Sequence, residues 1–86
     1  MESILAVFQI RTETMMFNEY LRKIGINSVI MNTPKEAHLS CGICVKFSAK
    51  DLPTINRINF RAYRSFKGLY RYSKTLLGAR VSPLNY

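Results

Sequence analysis

Short apolar segments separated by polar turns predict alternating strands and helices. The run from Ser3 to Ile10 is too short and too evenly apolar for an amphipathic helix, so it predicts a buried first strand. Apolar residues then recur at helical spacing: Phe17, Leu21 and Ile24. Either Thr12 or Thr14 is a suitable N-cap for this helix, and Gly25 is a suitable residue to end it.

The next two apolar segments predict a pair of strands. Residues 26–33 alternate in part and stop before Pro34, which cannot donate a hydrogen bond to a sheet. Residues 42–47 alternate more clearly, so successive side chains should point to opposite faces. One face carries Ile43, Val45 and Phe47, and the other carries Gly42, Cys44 and Lys46.

A second helix and a fourth strand are predicted downstream. Ser48 and Asp51 have the spacing of a capping box, although Pro53 lies late for a first helical turn. The apolar stripe of this helix consists of Leu52, Ile55 and Ile58. Residues 64–73 carry aromatic side chains around Gly68 and predict the last strand.

The predicted order β-α-β-β-α-β is that of the ferredoxin-like fold. In this α+β arrangement, two helices cover one face of a four-stranded antiparallel sheet. We expect residues 1–72 to form this single domain, because 86 residues allow only one small core. Residues 73–86 form a basic and apolar C-terminal extension, which would dock on the sheet or on a partner.

Positive charge is concentrated in the second half of the chain. Residues 1–43 contain four basic and four acidic residues, which cancel. Residues 44–86 contain nine basic residues and a single acidic residue, Asp51, so the net charge of +8 lies in the second half. Such a segment attracts polyanions, acidic proteins or anionic lipid. No apolar run reaches the roughly 18 residues of a spanning helix, and no signal peptide is visible, so we expect a cytoplasmic protein with free thiols and no membrane partner.

Both cysteines and the only histidine lie in one short segment, TPKEAHLSCGICVKF, residues 33–47. A redox CxxC pair usually begins at a helix N-terminus, but here a strand follows. Residues three apart in an extended chain point to opposite faces, so Cys41 and Cys44 would pair only if the chain turned sharply at Gly42. A redox dithiol is therefore the less favoured alternative.

A metal site is a second alternative. His38, Cys41 and Cys44 would supply three ligands, whereas structural zinc takes four, and the chain has no further Cys or His. A site shared across a dimer would meet this need, but an exposed loop histidine is the favoured interpretation of His38. We therefore expect neither a metal nor a cofactor.

A single working thiol is the third alternative. Cys41 would lie in the loop just before the third strand, where Gly42 gives the backbone room. Lys35, His38 and Lys46 are near in sequence and would lower the pKa of the thiol. Spacing alone gives equal weight to Cys41 as a small buried apolar residue, and it favours strand packing for Cys44.

The segment around these cysteines resembles a known family. The matching residues are Thr33, Pro34, Lys35, Ser40, Cys41, Gly42, Val45 and Phe47, followed by Asp51, Leu52 and the sequence FKGLY at residues 66–70. This pattern resembles the proteins described as putative selenium/sulfur carrier protein-like, and the likeness spans residues 3–72. Cys44 and the basic second half depart from the family's pattern, which leaves a dithiol role and an additional partner open.

The resemblance implies a cysteine that carries sulfur or selenium as a persulfide or selenosulfide, and this cysteine maps to Cys41. It also implies donor and acceptor proteins as partners, and a loop shaped by Pro34 and Lys35. Lys35 is the favoured cation beside the thiol and His38 the second choice. Because the chain shows no paired carboxylates, Ser-His-Asp set or phosphate-binding glycine loop, we expect a carrier or binding protein and not an enzyme.

Nucleic-acid binding is the competing function. RNA-recognition modules share the β-α-β-β-α-β order, and residues 56–74 interleave basic and aromatic side chains. The third strand argues against it, because it has Ile43 and Cys44 where stacking aromatics are needed and only Phe47 is aromatic. Core aromatics on one face and solvated bases on the other are the favoured interpretation.

The sheet face without helices suggests an assembly role, as an interaction module whose cysteines are structural. Ile30, Cys44 and either Leu69 or the pair Tyr70 and Tyr72 would line this face. A second copy of the chain would cover these apolar side chains, so we predict a homodimer.

Overall fold

The structure, a computed structural model, describes residues 2–35 and 42–84. Short 3-10 turns, Ala49–Asp51 and Phe60–Ala62, join some of the longer elements. The helices and strands are β1 (Ser3–Phe8), α1 (Arg11–Lys23), β2 (Val29–Asn32), β3 (Ile43–Ser48), α2 (Leu52–Ile55), β4 (Phe66–Thr75) and β5 (Gly78–Pro83). Among these described residues, no helix has the length and apolar run that crossing a bilayer requires.

The strands form one antiparallel sheet in the order β2-β3-β1-β4-β5. The prediction of an α+β fold with an antiparallel sheet and two helices is confirmed, but the count of four strands was wrong. The fifth strand pairs with β4 from Tyr70 opposite Pro83 to Thr75 opposite Gly78. A proline is tolerated here because β5 lies at the edge of the sheet. β4 continues across residue 72, so the predicted extension is partly built into the sheet.

One face of the sheet carries the main core. Phe17 and Leu21 of α1 and Ile55 of α2 pack in one cluster with side chains of β1, β3 and β4, so both helices lie on the same face. Aromatic rings fill the space between the helices and the sheet, and the rings of Phe8 and Phe17 have centroids 5.2 Å apart. Ile4, Ala6 and Phe8 of β1 belong to this core, and Leu5 and Val7 are buried on the opposite face, so β1 is almost continuously apolar.

The opposite face carries a second, smaller cluster. Leu5, Val7 and Cys44 are buried there, with Met31, Tyr70 and Tyr72 packed against them. Cys44 and the two tyrosines therefore lie on the face predicted for them, but the assignment of Ile30 was wrong. Ile30 pairs with Val45, which places it on the helix side. Leu69, the alternative to the tyrosines, belongs to the main core. The homodimer through this face stays a prediction.

The start of α1 differs from the prediction. The N-cap residue is Ile10, and neither Thr12 nor Thr14 caps the helix. Thr14 lies inside the helix, where its hydroxyl donates to the carbonyl of Ile10 at 3.2 Å. The predicted end is confirmed, because Gly25 adopts a φ of 89° just beyond the helix, in the left-handed region that favours glycine.

α2 is shorter than predicted. Ser48 acts as a cap, but its hydroxyl accepts a hydrogen bond from Lys50 N at 3.3 Å and so begins a 3-10 turn. The side chain of Asp51 makes no capping hydrogen bond to α2. Because Pro53 has no N–H, it is compatible only with a first helical turn, and the α-helix therefore begins at Leu52.

Candidate functional site at the ends of strands β2 and β3

The connection between β2 and β3 contains the predicted carrier segment. Beyond the last strand pair, Asn32 opposite Ile43, the backbone N–H of Thr33 donates to the carbonyl of Gly42 at 3.0 Å. This bond holds together the two positions where the connection leaves and re-enters the sheet. Cys41 and His38 lie outside the described residues, so the structure places Lys35, Gly42 and Cys44 of the predicted site.

Lys35 and Gly42 are both exposed at this end of the sheet. A Cβ atom built on Gly42 would meet no other atom within 4 Å, and its backbone lies outside the left-handed region. Neither crowding nor backbone strain therefore requires glycine at this position. The space that a side chain would fill at Gly42 is open, and Gly42 directly follows the predicted thiol, Cys41, in the sequence.

Thr33 contributes a feature that sequence analysis missed. Its Oγ1 atom is buried and has no hydrogen-bond partner within the described part of the chain. A buried hydroxyl normally has a partner, because leaving it unpaired costs about 1–3 kcal/mol. Thr33 belongs to the Thr-Pro-Lys sequence of the family pattern, which was the available signal, but that pattern suggested no role for the hydroxyl.

Cys44 is inaccessible to solvent. Its exposed fraction is 0%, and it packs with Leu5 and Val7 under Met31. Met31 lies directly opposite Cys44 in the β2–β3 ladder. The structure thus shows the strand packing that sequence analysis favoured for Cys44, while the less favoured alternative of a pair with Cys41 is not tested.

Hydrogen bonds among Ile10, Glu13 and Ser65 join two segments at the same end of the sheet. The backbone N–H and the hydroxyl of Ser65 both donate to Oε1 of Glu13, at 2.8 and 2.6 Å. The hydroxyl of Ser65 also accepts from the backbone N–H of Ile10 at 3.2 Å. These bonds hold the pKa of the Glu13 carboxyl below its usual range, chiefly through the Ser65 hydroxyl. These hydrogen bonds hold the start of α1 against the segment that leads into β4.

An exposed apolar groove runs between α1 and the edge strand β2. It has a volume of about 520 Å³ and is lined by Met15, Met16 and Ile30, among others. Both methionines are 56% exposed and Ile30 is 36% exposed. Asn18 also lines the groove, and its Oδ1 accepts a hydrogen bond from the hydroxyl of Ser28 at 2.7 Å. Sequence analysis gave these residues no role, although adjacent methionines beside the core stripe of a helix were a visible signal.

The described residues give little support to the competing site types. No three His, Cys, Asp or Glu side chains cluster within residues 2–35 and 42–84, while His38 and Cys41, two ligands of the less favoured metal alternative, lie outside them. Several aromatics of the basic segment pack in the core, where the rings of Phe60 and Phe66 stack with centroids 4.1 Å apart. Core packing is thus observed for Phe60 and Phe66, but the prediction that the strand aromatics share one face was wrong, because Tyr70 and Tyr72 pack in the cluster on the opposite face.

Comparison with known proteins gives one match. The model of a protein family described as "Putative Se/S carrier protein-like" matches residues 3–71. The matched region contains β1 through most of β4, and it includes the whole connection between β2 and β3. No curated protein and no solved structure matches the chain.

Proposed function

Because the chain belongs to the family described as putative Se/S carrier protein-like, we propose that it carries sulfur or selenium on Cys41 as a persulfide or selenosulfide. The family match over residues 3–71 is the observation that carries this proposal. The protein acts as a carrier between donor and acceptor proteins, and it is not an enzyme by itself.

The transfer is a thiol exchange that needs no external oxidant. The Cys41 thiolate attacks the outer sulfur of a donor persulfide, a new S–S bond forms, and the donor sulfur leaves as a thiolate. An acceptor thiolate then attacks the same outer sulfur and releases the Cys41 thiolate again. For selenium, the transferred atom is the outer selenium of a selenosulfide, and the electron count is unchanged.

Three described residues support this role by their position. Gly42, the residue after Cys41 in the sequence, leaves open space where its own side chain would lie, and the exposed Lys35 offers a positive charge of the kind that favours a thiolate. The buried hydroxyl of Thr33 has no partner in the described residues, so we propose it as a donor to the sulfur of Cys41. His38 remains the second cation of the proposal.

Cys44 is assigned a packing role in this proposal. Its 0% exposure supports a carrier that works with one thiol, because a second reactive thiol would have to reach the first.

Donor and acceptor proteins are proposed to contact the groove between α1 and β2. β2 is an edge strand, so one side of its backbone is available to pair with an extended segment of another chain. Met15, Met16 and Ile30 offer apolar contacts beside it. The same strand leads through Thr33 into the connection that contains Cys41, so a partner bound here would contact the strand from which that connection starts.

Intact-mass spectrometry tests the proposal. Protein incubated with a low-molecular-weight persulfide, or with a selenosulfide, should gain the mass of one sulfur or selenium atom. Cys41→Ser should abolish this gain, whereas Cys44→Ala should keep it. Equal and slow modification of both cysteines would overturn the carrier role. The same measurement on protein isolated from its own cells should find the added atom on Cys41.

A further inference from the structure

The turn between β4 and β5 exposes two large apolar side chains at its tip. Leu76 and Leu77 have exposed fractions of 105% and 100%, so the rest of the protein covers essentially none of either side chain. Two-residue hairpin turns usually contain Asn, Asp or Gly, because these residues suit the backbone and are polar. Leucine in both positions is therefore not explained by turn formation.

The tip projects beyond the rest of the sheet. The pairing of β4 with β1 ends at Tyr72 opposite Ser3, whereas β4 and β5 stay paired to Thr75 opposite Gly78. Three residues of β4 therefore extend past β1, a distance of roughly 10 Å at the usual rise per strand residue. The hydroxyl of Thr75 donates to the carbonyl of Gly78 at 3.0 Å and closes the turn.

The charged residues of the hairpin itself are all basic, although Arg71 is ion-paired with Glu2 of the neighbouring segment at 2.8 Å. Residues 66–84 contain Lys67, Arg71, Lys74 and Arg80 and no acidic residue. Lys74 and Arg80 are exposed and lie within three positions of the leucines. Lys74 is opposite Ala79 and Arg80 is opposite Ser73, so the two bases point to different faces of the hairpin.

We propose that the β4–β5 hairpin binds the surface of an anionic lipid bilayer, with Leu76 and Leu77 inserted at the interface and Lys74 and Arg80 against the lipid headgroups. Peripheral segments bury apolar side chains about 5–10 Å deep and gain attraction from basic residues near anionic lipid. The overhang of the hairpin matches that depth, and no spanning helix is needed. The expectation of no membrane partner rested on the lack of an apolar span, and binding by a hairpin tip does not require such a span.

This orientation leaves the candidate carrier site facing water. Ser3, Ser48 and Tyr72 lie at the hairpin end of the sheet, as the ladder pairs show. Phe8 opposite Phe66 lies at the other end, together with Asn32 opposite Ile43 and the connection beyond them. The proposal does not depend on the carrier function, but it would let a bound protein meet soluble partners.

Vesicle sedimentation tests the proposal with the full chain. At moderate salt, the protein should sediment with vesicles of mixed phosphatidylserine and phosphatidylcholine and not with phosphatidylcholine alone. Leu76→Ser with Leu77→Ser should lower the partition coefficient at least about tenfold, because each buried leucine contributes strongly to transfer. Lys74→Glu with Arg80→Glu should weaken binding to the anionic vesicles, because it removes the attraction to their headgroups.

The matched control is Met15→Ser with Met16→Ser, which removes two other exposed apolar side chains far from the hairpin in the chain and should leave binding unchanged. Equal binding of the leucine variant, fully reversed by salt, would reduce the effect to that of a basic protein on an anionic surface and overturn the proposal. Absence of sedimentation with every vesicle type would also overturn it and would fit a hairpin that inserts into a protein partner.

A fluorescent reporter gives an independent measurement. The chain contains no tryptophan, so Leu77→Trp introduces a single indole at the tip. Its emission should shift to the blue with anionic vesicles and be quenched by brominated lipid, whereas Met15→Trp should show neither effect. An unshifted emission from the tip variant while the protein sediments would show that another surface binds, and would overturn the assignment of the hairpin.

Discussion

The backbone N–H of Thr33 donates to the carbonyl of Gly42 at 3.0 Å and closes the connection between β2 and β3 at its base. The bond extends the strand ladder by one step beyond Asn32 and Ile43. It therefore fixes the entry and exit of the segment in which the family resemblance places the carrier cysteine. The side chains of the same two residues, one a buried hydroxyl and the other missing, lead to the first two predictions.

Thr33→Val should separate function from stability. Valine keeps the shape and the backbone bond but removes a buried hydroxyl with no partner in the described residues, so stability should be unchanged or rise by up to about 1 kcal/mol. Persulfide loading of Cys41 should slow if the hydroxyl donates to the sulfur, and Thr33→Ser should restore it. A loss of stability above about 2 kcal/mol in urea unfolding would instead show that the hydroxyl is needed for the fold.

Gly42→Ala should be tolerated by the fold, since its Cβ would meet no atom within 4 Å and its φ is not in the left-handed region. Gly68→Ala is the matched control. Gly68 has a φ of 141°, where a side chain is strained, so that variant should lose on the order of 1–3 kcal/mol. We expect Gly42→Ala to slow the reaction of Cys41 with a bulky alkylating probe more than with a small one. If Gly42→Ala slows the bulky probe and the small probe by the same factor, a role for Gly42 in access is contradicted.

The elements with strong periodicity were predictable from the sequence. The burial of β1 and the faces of β3 follow from runs and alternation, and the end of α1 follows from Gly25. Local patterns failed where distant residues decide the structure. The N-terminus of α1 is held by Ser65, 55 positions from Ile10, which no capping rule within the segment indicates. β5 was missed because residues 73–86 were interpreted as an extension, and the edge pairing with β4, which also tolerates Pro83, is set by tertiary structure.

The candidate site was predictable only in part. The segment and its glycine are visible in the sequence, and strand alternation gives the face on which Cys44 lies. Its burial depends on Leu5 and Val7 of β1 and was not predictable from alternation. The buried Thr33 hydroxyl, which has no partner among the residues that the structure describes, depends on tertiary contacts and was not predictable. The groove at Met15 required the packing of α1 beside β2, which a single chain's periodicity does not supply.

Glu13→Gln should destabilise the protein in a pH-dependent way. Hydrogen bonds from Ser65 lower the pKa of Glu13 from its usual value of 4.5, so the folded state favours the carboxylate. This stabilisation is present above the unfolded pKa and is lost as the pH falls through the lowered folded value. The melting temperature of the variant should lie below that of wild type at neutral pH, and the difference should shrink under acid conditions. A constant difference across the pH range would contradict the assignment, and Glu19→Gln on the same helix is the control.

Cys44 substitutions should change stability and not loading. Cys44→Ser places a hydroxyl among Leu5 and Val7 and should cost about 1–3 kcal/mol in urea unfolding, whereas Cys44→Ala should cost less because it adds no polar group. Both variants should still gain one sulfur atom on Cys41 when measured under conditions where they are folded. Loss of loading in folded Cys44→Ala would show that Cys44 takes part in the chemistry and would restore the dithiol alternative.

Met15→Glu should impair transfer between proteins without changing the thiol. Met15 is 56% exposed in the groove beside β2, so a charged side chain there leaves the core intact but opposes an apolar contact. Loading from a low-molecular-weight persulfide should match wild type, whereas loading from a protein donor should slow by about tenfold or more, the effect of losing a central apolar contact. Tyr20→Glu, on the same helix but outside the groove lining, is the matched control because Tyr20 is 41% exposed. If both variants slow transfer equally, the added negative charge is responsible, and the groove is not the docking surface.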